Sequence, residues 1–194
     1  MPAAEEQVAM RQVIRLVDHA PAIVDDAWLL IRDEAQASAW LAADADARPA
    51  AIVPVASLLT AMEQGGAEAV RGAGVWISPD ADFESWAAAL MAAPLIAVDF
   101  PNFKDGRGLS IGFVLRTRFG YRGELRAIGD VLRDQLENMR RCGFDSFAVR
   151  ADKSIVDALK GFSEISVRYQ GMAGDPRPLF RRRDDQVDTR ARTD

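Results

Sequence analysis

Residues 95–108, LIAVDFPNFKDGRG, decide the fold. LIAVDF (95–100) is a nearly continuous apolar run, the pattern of a strand covered on both faces. PNFKDGRG (101–108) is a polar, glycine-punctuated loop. Helical spacing then starts over 109–118, with Ile111, Val114 and Leu115 turned inward. A buried strand, a loop and an amphipathic helix make one βα unit.

The rest of the chain repeats that unit. Downstream, ELRAIG (124–129) reads as a strand, 131–142 as a helix with Leu132, Leu136 and Met139 inward, and DSFAVR (145–150) as a strand. SIVDALKGF (154–162) is a short helix and EISVRYQ (164–170) a further strand. Upstream, AGVWIS (73–78) is a strand, followed by a helix that Asp82 can cap. Its apolar stripe is Phe83, Trp86, Ala87, Leu90 and Met91, and Pro94 ends it. AIVPV (51–55) is a strand whose Pro54 opens a helix carrying Val55, Leu58, Leu59 and Met62. Gly65-Gly66 stops that helix. Residues 33–47 read as a short Ala-rich helix or an irregular segment, and QVIRLV (12–17) and AIVDDAWLLI (22–31) as a β-hairpin about DHAP.

The fold class is therefore α/β: alternating βα units with a mainly parallel sheet, open or a partial barrel, and an N-terminal β-hairpin. One α/β domain is expected over 12–170. Residues 1–11 read as a flexible N-terminus, and 171–194, with RRR at 181–183, as a charged, mostly disordered tail.

Composition narrows the chemistry. Of 194 residues, 49% are hydrophobic, which suffices for a packed core. No apolar run reaches the roughly 18 residues of a membrane span, and MPAAEEQVAM is not a secretory leader. A net charge of −5 argues against general nucleic-acid binding. The charge is uneven: residues 1–94 carry 14 acidic and 5 basic side chains, and 95–194 carry 15 and 19. An anion-handling surface is thus expected in the second half. One cysteine, Cys142, and one histidine, His19, exclude sites that need two of either within the chain. No metal site is expected. Cys142 reads as a small buried apolar residue, and the four tryptophans as core or interface.

In parallel α/β folds ligands gather beyond the carboxyl ends of the strands. The residues there are Asp99, Lys104, Asp105 and Arg107 after the strand 95–100, and Asp130, Arg133 and Asp134 after 124–129. Arg150 ends 145–150. KDGRG (104–108) suits a small oxyanion or phosphate. Gly106 and Gly108 would let backbone N–H groups approach, and Lys104 and Arg107 would add charge. Arg126 is a further candidate anion ligand. Asp99 and Asp130, on neighbouring strands, could do acid/base work. Asp105, Arg133, Asp134 and Arg150 would support these groups. Each also has a structural reading: Asp130 as a helix cap, Asp105 as an N-cap, and Arg107 paired to a carboxylate.

FPNFKDGRGLS and GYRGELRAIGDVLRDQLENMRRCGFDSF resemble an uncharacterised bacterial family labelled an oxidoreductase of sulfite reduction, a domain of unknown function found alongside sulfite reductase. The shared motifs are D-G-R-G (Asp105–Gly108), the segment Gly123–Gln135, and R-C-G-F-D (Arg141–Asp145). The resemblance spans roughly 12–170. It implies a cytoplasmic protein of sulfur assimilation with a sulfite reductase subunit as partner. It supplies no catalytic residues and leaves any cofactor unknown. A reductase built on siroheme and an iron–sulfur cluster needs several cysteines, so this chain is not expected to reduce sulfite alone. Three functions remain open. One is an accessory protein that binds a small oxyanion or the reductase. Another is a non-catalytic module docking a reductase subunit or electron donor. The third is an enzyme acting on a sulfur-containing metabolite, with Asp99 or Asp130 as base.

Overall fold

A computed structural model describes residues 11–163, 171–174 and 177. The chain runs β1 (Arg11–Val17), β2 (Ala20–Asp26), β3 (Leu29–Leu30), α1 (Glu34–Ala42), β4 (Ala51–Pro54), α2 (Val55–Ala69), β5 (Gly74–Ile77) and α3 (Ala87–Leu90). It continues with β6 (Leu95–Phe100), α4 (Arg107–Thr117), β7 (Glu124–Gly129), α5 (Leu136–Arg141), β8 (Ser146–Phe147) and α6 (Ile155–Ala158). Single turns of 3₁₀ helix precede α3 and α5 and follow α6.

The eight strands form one sheet in the order β2-β1-β8-β7-β6-β5-β4-β3. From β3 to β8 each strand is added beside its predecessor and parallel to it. Stepping always the same way places every crossover on one side of the sheet. Buried residues of all six helices, among them Leu41, Leu58, Leu90, Leu115, Met139 and Ala158, accordingly join one core with Val53, Val75, Val98, Ala127 and Phe147 of the strands. The opposite face carries a second cluster of Ile52, Leu95, Ala97 and Ile128, packed by Trp28, Leu30 and Trp76. β6 is buried on both sides at five of its six positions, which explains its unbroken apolar run.

The sheet is curled into a half-barrel, and the β2–β3 connection shows how far. β2 and β3 lie at opposite edges, yet only Ala27 and Trp28 separate them. Three extended peptide steps reach about 11 Å at most, so the two edges approach each other within that distance there. The carboxylate of Asp26 accepts the Trp28 N–H at 3.2 Å and turns the chain at this point.

The expected single arm 22–31 is therefore divided. Its first part pairs with β1 from Ala20 onward, about a two-residue turn at Asp18 and His19, whose φ values are +50° and +67°. Two left-handed residues make the tight hairpin turn that matches strand twist. Leu29 and Leu30 instead pair with β4. Other boundaries also move. The Asp82 carboxylate accepts the Ser85 hydroxyl, not a backbone N–H, and the expected cap gives way to a 3₁₀ turn. The expected helix 131–142 opens as a 3₁₀ turn at Arg133–Gln135. Only Ser146 and Phe147 of 145–150 are strand. In α2, Gly66 at φ +67° breaks the helical path, as the glycine pair implied. The expected strand 164–170 and most of the expected tail lie outside the described residues. Ala173, in the part described, donates its N–H to Arg141 O at 2.9 Å.

Candidate functional site

Side chains on the inner face of the half-barrel lie in layers, because same-face residues on a strand recur every second position. The lowest layer is an ion-pair network centred on Arg126, which is 3% exposed. Its guanidinium donates to Glu124 (2.7 and 3.0 Å), Asp26 (2.8 Å) and the Ser146 hydroxyl (3.1 Å). Arg15 pairs with the outer side of Glu124. Burial works against ionisation of Glu124, but Arg126, Ser146 and Arg15 outweigh it and hold the carboxyl below its ordinary value.

Two residues further along the same strand comes Ile128, and beside it Ala148. With Leu30, Ile52 and the indole of Trp28 they make an apolar layer. A third layer, two residues further again, is cationic. Arg32 lies two residues past Leu30 and Arg150 two past Ala148, with Lys153 beside them. A cavity of about 520 Å³ is lined by all three layers. Arg32, Gly129, Arg150 and Lys153 on its lining stand at or past the carboxyl ends of the strands, where parallel α/β folds hold their ligands.

Arg32 is fixed on two sides. Its Nη2 donates to Asp99 at 2.8 Å, and its guanidinium carbon sits 5.4 Å from the Trp76 ring centre. Trp76 is held in turn by its own N–H on Ile31 O at 3.0 Å. The remaining donors of Arg32 have no partner among the described residues. A guanidinium oriented by a carboxylate and an aromatic face, with N–H groups to spare, has the geometry to receive an anion. Arg150 is clamped similarly, by Asp152 at 2.6 and 3.1 Å and by Asp130 at 2.6 Å. Both carboxylates raise its pKa.

Asp99 and Asp130 thus serve different cations. Asp130 also accepts the Phe103 N–H at 2.8 Å, tying the loop after β6 to Arg150. Gly129, between them, has φ +91°, and a Cβ there would stand 2.8 Å from Asp99 Oδ1 and 2.5 Å from Phe100 O. Only glycine lets the β7 end pass Asp99 so closely.

KDGRG is arranged differently from the expected anion cradle. Asp105 occupies the start of α4 itself: it accepts the Arg107 N–H at 3.1 Å and Arg107 Nη2 at 2.6 Å. These bonds draw its carboxyl down to about 2. Arg107 also pairs with Asp80. Lys104 lies 5.5 Å over the Phe103 ring. A Cβ on Gly108 would meet Phe100 at 2.7 Å, and one on Gly112 would meet Phe144 at 2.3 Å, so these glycines let α4 settle on a pair of phenylalanine rings tilted 59° to each other. Gly106 has open space around it. None of these residues lines the cavity that holds Arg126 and Arg150. Arg133 bonds Asp157 of α6 at 3.0 Å, and Asp134 is exposed. Burial pushes the Cys142 thiol up, away from the reactive thiolate.

The structure therefore brings Arg126 and Arg150 to one cavity, with Asp130 on Arg150 and Asp99 on Arg32, and adds Arg32, Asp26, Trp28 and Lys153, which sequence reasoning missed. Among the described residues no group of three or more His, Cys, Asp or Glu could hold a metal ion, and no helix is long and apolar enough to cross a membrane.

Residues 74–180 match the model of a family described as bacterial protein of unknown function, DUF934. The chain belongs to that family. No curated protein and no solved structure matches it. The DUF934 match starts at β5, so it takes in Asp99, Arg126, Asp130 and Arg150. The opposing wall, with Asp26, Trp28 and Arg32, precedes it.

Proposed function

We propose that this protein binds a small oxyanion-bearing molecule in the mouth of its half-barrel, as an accessory of assimilatory sulfite reduction. The observation that carries the binding is Arg32: a guanidinium held by Asp99 and stacked on Trp76, with donors to spare on the wall of a cavity. Arg150 and Lys153 stand on the same cavity, and the carboxylates Asp99, Asp130 and Asp152 hold the cations from behind it. In this reading Asp99 and Asp130 position arginines. The sulfur context rests on the resemblance carried by GELRAIGDVLRDQ and RCGFD. It makes sulfite and sulfate the first anions to try and a sulfite reductase subunit the first partner.

Calorimetric titration tests the binding. Sulfite or sulfate should give saturable heat at millimolar concentration. Arg32→Gln should weaken binding about tenfold, on the order of 1.4 kcal/mol, the scale of one charge-assisted hydrogen bond. Arg107→Gln, on the separate Asp105–Asp80 cluster, should leave it unchanged. No heat, or loss of heat in Arg107→Gln with Arg32→Gln intact, removes the proposal.

A further inference from the structure

The cavity is far larger than an inorganic oxyanion, and the layer between its two charged layers is apolar. Sulfite or sulfate has four or five heavy atoms, whereas about 520 Å³ lies in the range that takes whole organic ligands. A bare oxyanion at Arg32 would leave the half-buried Trp28 and Leu30 on the cavity wall facing water. The indole of Trp28 packs on the inner-face cluster and lines the cavity. It lies against Gly74, where a Cβ would stand 3.0 Å from its Cζ3, so the missing side chain lets the ring settle on the strand. Arg32 and Arg150, two residues past Leu30 and Ala148 in the chain, line the same cavity as the Trp28 indole.

We infer that the ligand is a planar ring system bearing an oxyanion: its ring stacks on Trp28 and its sulfonate, phosphate or carboxylate pairs with Arg32 and Arg150. This rests on the anion-binding reading and narrows it to a substrate class. Ring stacking and charge recognition act on different atoms of the ligand, so they separate experimentally.

The probes are naphthalene-2-sulfonate, inorganic sulfate and neutral 2-naphthalenemethanol, titrated into the full chain. Naphthalene-2-sulfonate should bind at least tenfold more tightly than sulfate and than the alcohol, and should compete with sulfate. Trp28→Leu should cut the naphthalene-2-sulfonate affinity at least fivefold while sulfate binding stays within twofold. Should that variant fold poorly, nuclear Overhauser contacts between naphthyl and Trp28 indole protons in the native chain give the same answer. Equal affinities for sulfate and naphthalene-2-sulfonate, or absent indole contacts, overturn the ring assignment and leave the anion site standing. No binding of either anion overturns both. A dimer that closes over the inner face and excludes naphthalene-2-sulfonate overturns the ring assignment in favour of a second copy of the chain.

Discussion

Replacing Arg126 by leucine should destabilise the protein severely, and for an electrostatic reason. The change removes donors at 2.7–3.1 Å from Glu124, Asp26 and Ser146. Glu124, 9% exposed, keeps Arg15; Asp26, 7% exposed, keeps no cation among the described residues. Stranding a buried charge costs about 3–5 kcal/mol, and the surviving Arg15 pair puts the expectation near ~3 kcal/mol. That is a large part of the roughly 5–15 kcal/mol that holds a domain folded. Urea unfolding at pH 7 measures it, with the slope checked for constancy. Removing the stranded charge as well, in Arg126→Leu/Asp26→Leu, should recover about 2 kcal/mol, because apolar replacement of a buried pair is often neutral. The pH dependence has a definite sign. Protonation removes the cost of burying an unpaired carboxylate charge, so the deficit should shrink as pH falls from 7 toward 4.5. A loss under about 1 kcal/mol, or a deficit that ignores pH, refutes the reasoning.

Gly112→Ala should cost about 1–3 kcal/mol in thermal or urea unfolding, since its Cβ would stand 2.3 Å from Phe144, while Gly106→Ala, with open space around it, should stay within about 0.5 kcal/mol. Carbon-13 titration of Asp105 should show a midpoint of about 2 that rises in Arg107→Gln. Because this folded value is depressed, whatever the pair adds to stability is present above pH 4 and lost as pH falls toward 2. Asp130→Ala should free the Phe103 N–H and leave Arg150 on Asp152 alone, seen as faster amide exchange of Phe103 and weaker sulfite binding without global unfolding. Retained protection of that amide would show that other contacts hold the loop.

Much of the fold is legible in local pattern. The limits of β6 and β7 coincide with the apolar runs LIAVDF and ELRAIG, because both strands sit mid-sheet between two packed faces. The edge elements are not legible this way. AIVDDAWLLI reads as one continuous arm, yet Asp26 turns the chain and sends Leu29 and Leu30 to the far edge. That step depends on the curl of the whole sheet, which no local window contains. The site divides in the same manner. Arg150, Asp99 and Asp130 follow from strand-end position alone, whereas Arg126 lies inside β7. Arg32, Trp28 and Asp26 do not, because they belong to the misassigned arm. Their signal was present in Asp26, two residues before Trp28, an Asx turn inside an otherwise apolar run. The glycines of KDGRGLSIG were legible as close approaches, but sequence could not say whether a ligand or a side chain approaches. Phe100 and Phe144 take that place at Gly108 and Gly112.

The central claim is the location of the anion site, and arginine side-chain spectra test it most directly. Nitrogen-15 resonances of the Nε–H groups should be followed while sulfite or naphthalene-2-sulfonate is added. The Arg32 and Arg150 signals should move together and saturate with one affinity, while Arg107 stays still. Movement of Arg107 with Arg32 and Arg150 unchanged would contradict the account.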